Sequence, residues 1–435
     1  MSKPLFVISS PFDTYSGYGA RSRDLIKAII DSDKYNVRLL SQRWGNTPFG
    51  FIKDNNKEWG FLEKLILPQG QIPRQPEIWM QITVPEEFQP VGKYNIGVTA
   101  GVETTICPPQ LIEGCNRMNL ILASSNHAKD VILNSKFDGV NQQTNQKIKV
   151  EFNKPIEVLF EGVNTNIYKP EETRKLSKLD NIKEEFCYLA VGHWMQGDLG
   201  EDRKNIGLVI KSFYETFKNK TKKPALILKT SQVGSSYIDR EDILRKIASI
   251  KKTMKTKNLP NIYLLNGELT DEEMSQLYNH PKVKAMISLT KGEGFGRPLL
   301  EFSLVKKPII VSGWSGHLDF MDKELSILLG GELTPVHPSA ANQYLIKESQ
   351  WFSPDPIHIG HFLKDVYENY KNYIVKAKKL GTKNKNEFSR EKMAEKIDLI
   401  LNQHLPEFPK QVQLKLPQLK KIELPKLKKT EADAK

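Results

Sequence analysis

Glu293 and Glu301 stand eight positions apart in the stretch KGEGFGRPLLEF (291–302), on either side of Gly294, Gly296 and Pro298. Proline suits the first turn of a helix, while glycine allows backbone angles closed to other residues and lets a ligand approach the main chain. A helix opening at Pro298 turns its unbonded amides and the positive end of its dipole toward the loop, an arrangement that holds a diphosphate. The carboxylates do different work. A carboxylate repels phosphate but accepts hydrogen bonds from pairs of sugar hydroxyls. With both carboxylates expected on one pocket, amides would hold the phosphates, one glutamate a ribose and the other a transferred sugar. The spacing therefore predicts a nucleotide-sugar. A plainer reading has both glutamates complementing the helix dipole, worth about 0.3–1 kcal/mol each. The loop is not a dinucleotide fingerprint, because Leu299 takes the place of the third glycine.

Such a loop needs a strand behind it. The apolar run 284–289 supplies one, so the motif begins at a strand's carboxyl end, where open α/β sheets bind their ligands. Between positions 4 and 160 the runs PLFVISS, YNVRLL, EIWMQIT, YNIGVT, NLILASS and PIEVLF alternate with helical periodicity. A second series follows: FCYLAVG, PALILKT, NIYLLNG, KAMISLT, KPIIVSG and LSILLGG. Near-continuous apolar strands separated by helices indicate parallel sheets covered on both faces. The expected fold class is α/β, with two doubly wound domains in series. The polar segment GVNTNIYKPEETRKLSKLDNIKEE (162–185) reads as the linker, with the boundary between 172 and 181, which gives domains 1–172 and 173–388. Thr270 with Glu273 forms a capping-box pattern for the helix before KAMISLT. Ser389 precedes a last helix, 389–405, whose Met393, Ile397, Ile400, Leu401 and Leu405 recur at helical spacing and require an apolar surface.

After Leu405 the character changes. LPQLKKIE (416–423) repeats as LPKLKKTE (424–431), and residues 406–435 hold eight lysines against four acidic residues. Prolines at that interval and dense charge predict a disordered basic arm, suited to DNA, an anionic membrane or an acidic partner. The whole chain of 435 residues carries 64 − 51 = +13, a surface that attracts polyanions. No apolar run approaches the roughly 18 residues of a membrane span, so no integral membrane segment is expected. The amino end reads as a first strand rather than a signal peptide, and Cys107, Cys115 and Cys187 fit neither a disulfide framework nor a zinc spacing. The expected compartment is the cytoplasm.

The segment EGFGRPLLE (293–301) resembles the E-x7-E signature of the retaining GT-B glycosyltransferases of family 4. VLFEGVNTNIYKP (158–170), DRKNIGLVIKSFYETF (202–217) and NIYLLNGELTDEEMSQLYN (261–279) resemble its domain junction, its lysine segment and the strand and helix before the signature, in the right order. The resemblance implies the GT-B fold: two Rossmann-like domains facing across a cleft, the acceptor on the first and the nucleotide-sugar on the second, with the last helix crossing back. It implies transfer with retained configuration and no metal or cofactor besides the donor. Asp31 and Asp33, the one D-x-D, read as a solvated turn.

By the same resemblance Glu301 would hold the ribose, Glu293 the donor sugar, and Lys204 with Arg203 the diphosphate leaving group. Gly294, Phe295 and Gly296 would border the donor. Gly17 and Gly19 match a glycine-rich loop, Glu103 a cleft glutamate able to meet the acceptor hydroxyl, and His317 a donor contact. The sequence departs from the family at His193, which stands where arginine is common, so Arg203 or Lys229 must supply the second cation. Charge points to a polyanion, and together with the resemblance, since viral DNA glucosyltransferase-like enzymes use such acceptors, it implies a hydroxylated or hydroxymethylated base in DNA. A cell-surface glycan, lipid or protein, the last two with peripheral membrane contact, are alternatives, as is a non-catalytic polyanion-binding protein on the same scaffold.

Overall fold

The apolar runs become strands because both faces of each sheet are covered. In the computed structural model, which describes residues 3–140, 145–171, 176–232 and 236–408, every run named above forms one. The first half holds β1 (Leu5–Ser10), β2 (Asn36–Ser41), β3 (Ile78–Ile82), β4 (Tyr94–Thr99), β5 (Leu120–Ala123), a hairpin of β6 (Phe137–Val140) and β7 (Lys147–Val150), and β8 (Ile156–Val158). Its helices are α1 (Gly17–Asp31), the single turns α2 (Phe51–Asp54) and α3 (Asn56–Trp59), α4 (Pro109–Asn116) and α5 (Asn126–Asn134). The sheet order is β2-β1-β3-β4-β5-β8, parallel throughout. β1 and β3 are buried at every residue, which is why their sequences show no polar alternation.

The second half repeats the plan. β9 (Cys187–Val191), α6 (Ile206–Phe217), β10 (Ala225–Lys229), α7 (Tyr237–Thr253), β11 (Ile262–Leu265), α8 (Asp271–Asn279), β12 (Val283–Ser288), α9 (Arg297–Leu304), β13 (Ile309–Ser312) and β14 (Ile327–Leu329) build a parallel sheet of order β11-β10-β9-β12-β13-β14. An antiparallel hairpin follows, β15 (Gly331–Pro335) with β16 (Gln350–Pro354), then α10 (Pro356–Glu368), α11 (Tyr370–Glu387) and α12 (Arg390–His404). α6 buries Ile206, Val209, Ile210, Phe213 and Phe217 beside Tyr188 and Leu226 of the sheet. Thr270 caps α8 with Glu273 in the expected reciprocal pair.

Two features join the halves. α12 lies against α1 and buries Met393, Ile397, Ile400 and Leu401, while Leu405 stays half-exposed. The chain also crosses between the sheets twice, and the crossings are bonded to each other: Val163 N–H donates to Phe388 O at 3.0 Å and Arg390 N–H to Val163 O at 3.0 Å. Gly162 has no side chain because a Cβ there would meet Arg390 Cα at 2.8 Å. The expected boundary at 172/173 and residues 409–435 of the basic arm lie outside the described residues. Among the described residues no helix is long and apolar enough to cross a membrane.

Candidate active site

Each sheet reverses its strand order once, between β1 and β3 in the first and between β9 and β12 in the second. A crevice opens outside the strands' carboxyl ends at such a point. Here the two crevices face each other across one cleft of about 1590 Å³, which includes space open to solvent. Gly17 and Tyr18 follow β1, Val84 and Pro85 follow β3, and Glu103 follows β4; from the other side come His193 after β9, Arg203 before α6, Glu268 after β11 and residues 293–298 after β12.

The turn before α6 sets the cations. Asp202 is buried and accepts from Ile206 N–H at 3.2 Å, and Asn205 takes a left-handed backbone (φ 57°), so Arg203 and Lys204 between them project outward. Arg203 O accepts from Lys291 N–H at 2.8 Å, tying this turn to the loop after β12. Lys204 Nζ then lies 2.5 Å from Glu293 Oε1, and Arg203 spans 3.4 Å to Glu293 Oε2 and 2.9 Å to Glu103 Oε2. Burial pushes the Glu293 carboxyl up, but Lys204 and Arg203 more than reverse this and hold it at about 2. Burial raises Glu103 despite Arg203, and it lowers Lys204 against the pull of Glu293. His193 is lowered by burial, with Lys204 adding to the effect, and is therefore neutral at pH 7. Lys229, also lowered by burial, does not line the cleft. Arg203, and not Lys229, stands beside Lys204 at Glu293.

The glycine loop has two different reasons for its glycines. Gly296 is left-handed (φ 95°). At Gly294 the other lobe's backbone, not a ligand, approaches: an added Cβ would stand 1.6 Å from Ala100 O. Ser124 and Ser125 donate from Oγ to Gly294 O at 2.9 and 2.6 Å, fastening the loop to the first lobe.

Glu301 departs from expectation. It is as buried as Glu293 but turns toward other partners, with Oε1 2.9 Å from Arg297 Nε and Oε2 3.4 Å from the Tyr278 hydroxyl. Arg297 reaches on to Asp24 of α1 at 2.8 Å, and Arg390 of α12 meets the same carboxylate at 2.6 Å. Three elements thus share one buried charge cluster. Burial, reinforced by Asp271, raises the Glu301 carboxyl to about 7, although Arg297 and Tyr278 oppose it. A carboxyl raised on folding binds more protons folded than unfolded, so stability falls as pH rises from about 4.5 to 7. The loss reaches about 3 kcal/mol. Comparing urea denaturation of the parent and Glu301→Gln across that range checks this: only the parent should weaken, and parallel curves would contradict it.

Gly17, Glu103, His193, Arg203, Glu293, Gly294, Phe295 and Gly296 therefore share the cleft wall. Lys204 stands behind Glu293. Gly19 packs under the loop after β1, where a Cβ would lie 2.4 Å from Thr14 O, and its amide donates to the Ser16 cap. His317 is fully buried beneath Gly296, with Nε2 2.7 Å from Ser312 O. The three cysteines are free and buried, and burial raises their thiols, Cys107 to about 11 and Cys187 to about 12. Sequence reading missed Arg297, Asp24 and the aromatic pair Tyr18 and Trp44. An arginine opening RPLLEF, four positions before Glu301 and so on the same helix face, was the available sign for Arg297.

Two doubly wound sheets with facing switch points and a last helix returned to the first lobe define the GT-B fold, and solved structures agree. The chain is similar to a glycosyltransferase from Rickettsia africae (TM-score 0.59, 13% identity, covering 93% of this chain and 99% of that one). It is also similar to Anabaena HepE in complex with UDP-glucose (TM-score 0.58, 12% identity, covering 92% and 100%). A third likeness is to sucrose-phosphate synthase from Thermosynechococcus elongatus (TM-score 0.57, 11% identity, covering 92% and 98%). At these identities the likeness establishes the fold alone. No protein-family model and no curated protein sequence matches the chain.

Proposed function

We propose that this protein is a retaining, metal-independent glycosyltransferase that moves a sugar from a nucleoside diphosphate, UDP in the first instance, to an acceptor hydroxyl. The observation that carries the reading is the Arg203–Lys204 pair meeting Glu293 beside the amino end of α9. As the bond from sugar C1 to the β-phosphate oxygen breaks, its electron pair leaves with the phosphate, where Lys204 and Arg203 neutralise it. The acceptor oxygen bonds to C1 from the same face and its proton passes to the departing phosphate. Glu293 would orient the sugar hydroxyls, and Glu103 would hold Arg203 and meet the acceptor hydroxyl. HepE, which binds UDP-glucose on this fold, supports the choice of donor. Residues 1–172 would serve the acceptor and 173–388 the donor. Buried, unpaired thiols fit a reducing cytoplasm.

Calorimetric titration with UDP-, GDP- and ADP-sugars, followed by NMR of the product's anomeric proton, tests this. Saturable binding of one donor and a retained configuration are expected. No binding would end the transferase reading, and an inverted product would end the retaining one. Within it, Gly294→Ala should lower turnover about 100-fold, because the clash with Ala100 O holds the lobes apart while each sheet stays folded. Small-angle scattering of the variant should show a wider particle with unchanged far-UV circular dichroism.

A further inference from the structure

The two walls of the cleft differ in chemistry. On the donor side stand Arg203, Arg297 and His193, whereas no lysine or arginine of the first lobe lines the cleft among the described residues. The first-lobe wall is instead Tyr15, Tyr18, Trp44, Pro48, Val84 and Pro85, with two carboxylates, Glu103 and Glu161. Glu161 is paired with the buried Arg21 at 3.3 Å. The aromatic surface is rigid. Trp44 stacks on Tyr18 with ring centroids 4.0 Å apart and planes 22° from parallel. The Tyr18 hydroxyl is fixed at the end of β4, accepting from Ala100 N–H at 2.9 Å and lying 3.2 Å from Thr99 Oγ1. Trp44 itself is half-exposed, in a loop whose local sequence, SQRWGNTP (41–48), offers no core for it to join.

We infer that Trp44, backed by Tyr18, is the specificity platform for an uncharged sugar ring as acceptor, with the ring's apolar face on the indole and its hydroxyl edge toward Glu103. This rests on the transferase reading and deepens it. Flat, amphipathic rings gain from an aromatic face and from a carboxylate that accepts paired hydroxyls, and a sugar offers both surfaces at once. An acceptor carrying phosphate beside its reactive hydroxyl would meet Glu103 and Glu161 on a wall that no first-lobe lysine or arginine lines among the described residues, Arg21 being buried behind Glu161 and Arg203 standing on the other lobe. The charge argument for a DNA acceptor therefore does not extend to this wall.

Binding can be measured without donor or turnover. Methyl glucosides, galactosides and mannosides are titrated against the full chain by NMR, beside glucose 6-phosphate and 5-hydroxymethylcytidine. One neutral glycoside should bind best, Trp44→Ala should weaken it about tenfold, and Trp44→Phe should recover most of the loss. The inference is overturned if no glycoside binds, if Trp44→Ala leaves the affinity unchanged, or if the sugar phosphate or the nucleoside binds more tightly. UDP titrated against the unmodified protein reports on the donor site separately, so its failure would count against the transferase reading and not against the platform.

Discussion

Lys204→Met should lower the rate of sugar transfer by about 10²–10³-fold, the expected cost of deleting one preorganised charge from the place where, on the proposed reading, negative charge develops. The substitution has a second effect, because Glu293 loses the nearer of its two cations while remaining buried. Its carboxyl then rises from about 2 toward the ordinary range. A carboxylate held low contributes stability that is present above the ordinary pKa and lost as pH falls, so the variant should forfeit much of that contribution at pH 7. Lys204→Met/Glu293→Gln, compared with Glu293→Gln alone, separates the two effects, since it removes the stranded charge without restoring the cation. Thermal unfolding should recover in the double variant while single-turnover transfer stays slow. Recovery of both would mean that Lys204 serves the fold and not the leaving group.

Arg297→Leu should destabilise the protein by about 3–5 kcal/mol, as expected when one member of a buried ion cluster is deleted and its partners remain. Asp24 keeps its ion pair with Arg390, and Glu301 its hydrogen bond from Tyr278. With Arg297 gone, the Tyr278 hydroxyl still opposes the burial that raises Glu301 but the larger opposing charge is lost, so its titration should move above 7 and the fall in stability with rising pH should shift to higher pH. The pH dependence marks the electrostatic cause. Simple loss of packing would lower urea midpoints equally at every pH. A double-mutant cycle with Asp24→Asn measures the link across the lobes, and a coupling of about 0.5–3 kcal/mol is expected for groups in one network. Additive effects would show that Arg297 does not bind the lobes together.

Much of this architecture was readable because the central strands are buried on both faces, so their apolar runs stand out from the helices around them. The hairpins were not. β6 contains Asp138 and Gly139, and β15 begins at Gly331 and ends at Pro335, residues depleted in strands, so only pairing with the following strand makes them regular. At the site, the loop from Glu293 to Pro298 follows from residue types and order, whereas Arg203 and Lys204 were singled out by the family resemblance. The inward turn of Glu301 follows from neither, because its cause is an arginine whose other partner, Asp24, lies 273 positions away. Nor could one sequence show that Gly294 is small for the sake of Ala100, or that Trp44 in a polar loop rests on Tyr18.

The paired crossings at Val163 and Phe388–Arg390 govern how the molecule can move. Two connections lying side by side act like adjacent knuckles on one pin: the halves can swing about the line they share, but cannot swivel or slide without tearing the bonds between them. Any opening and shutting of the two halves should thus retrace a single arc, each return bringing the same backbone atoms face to face.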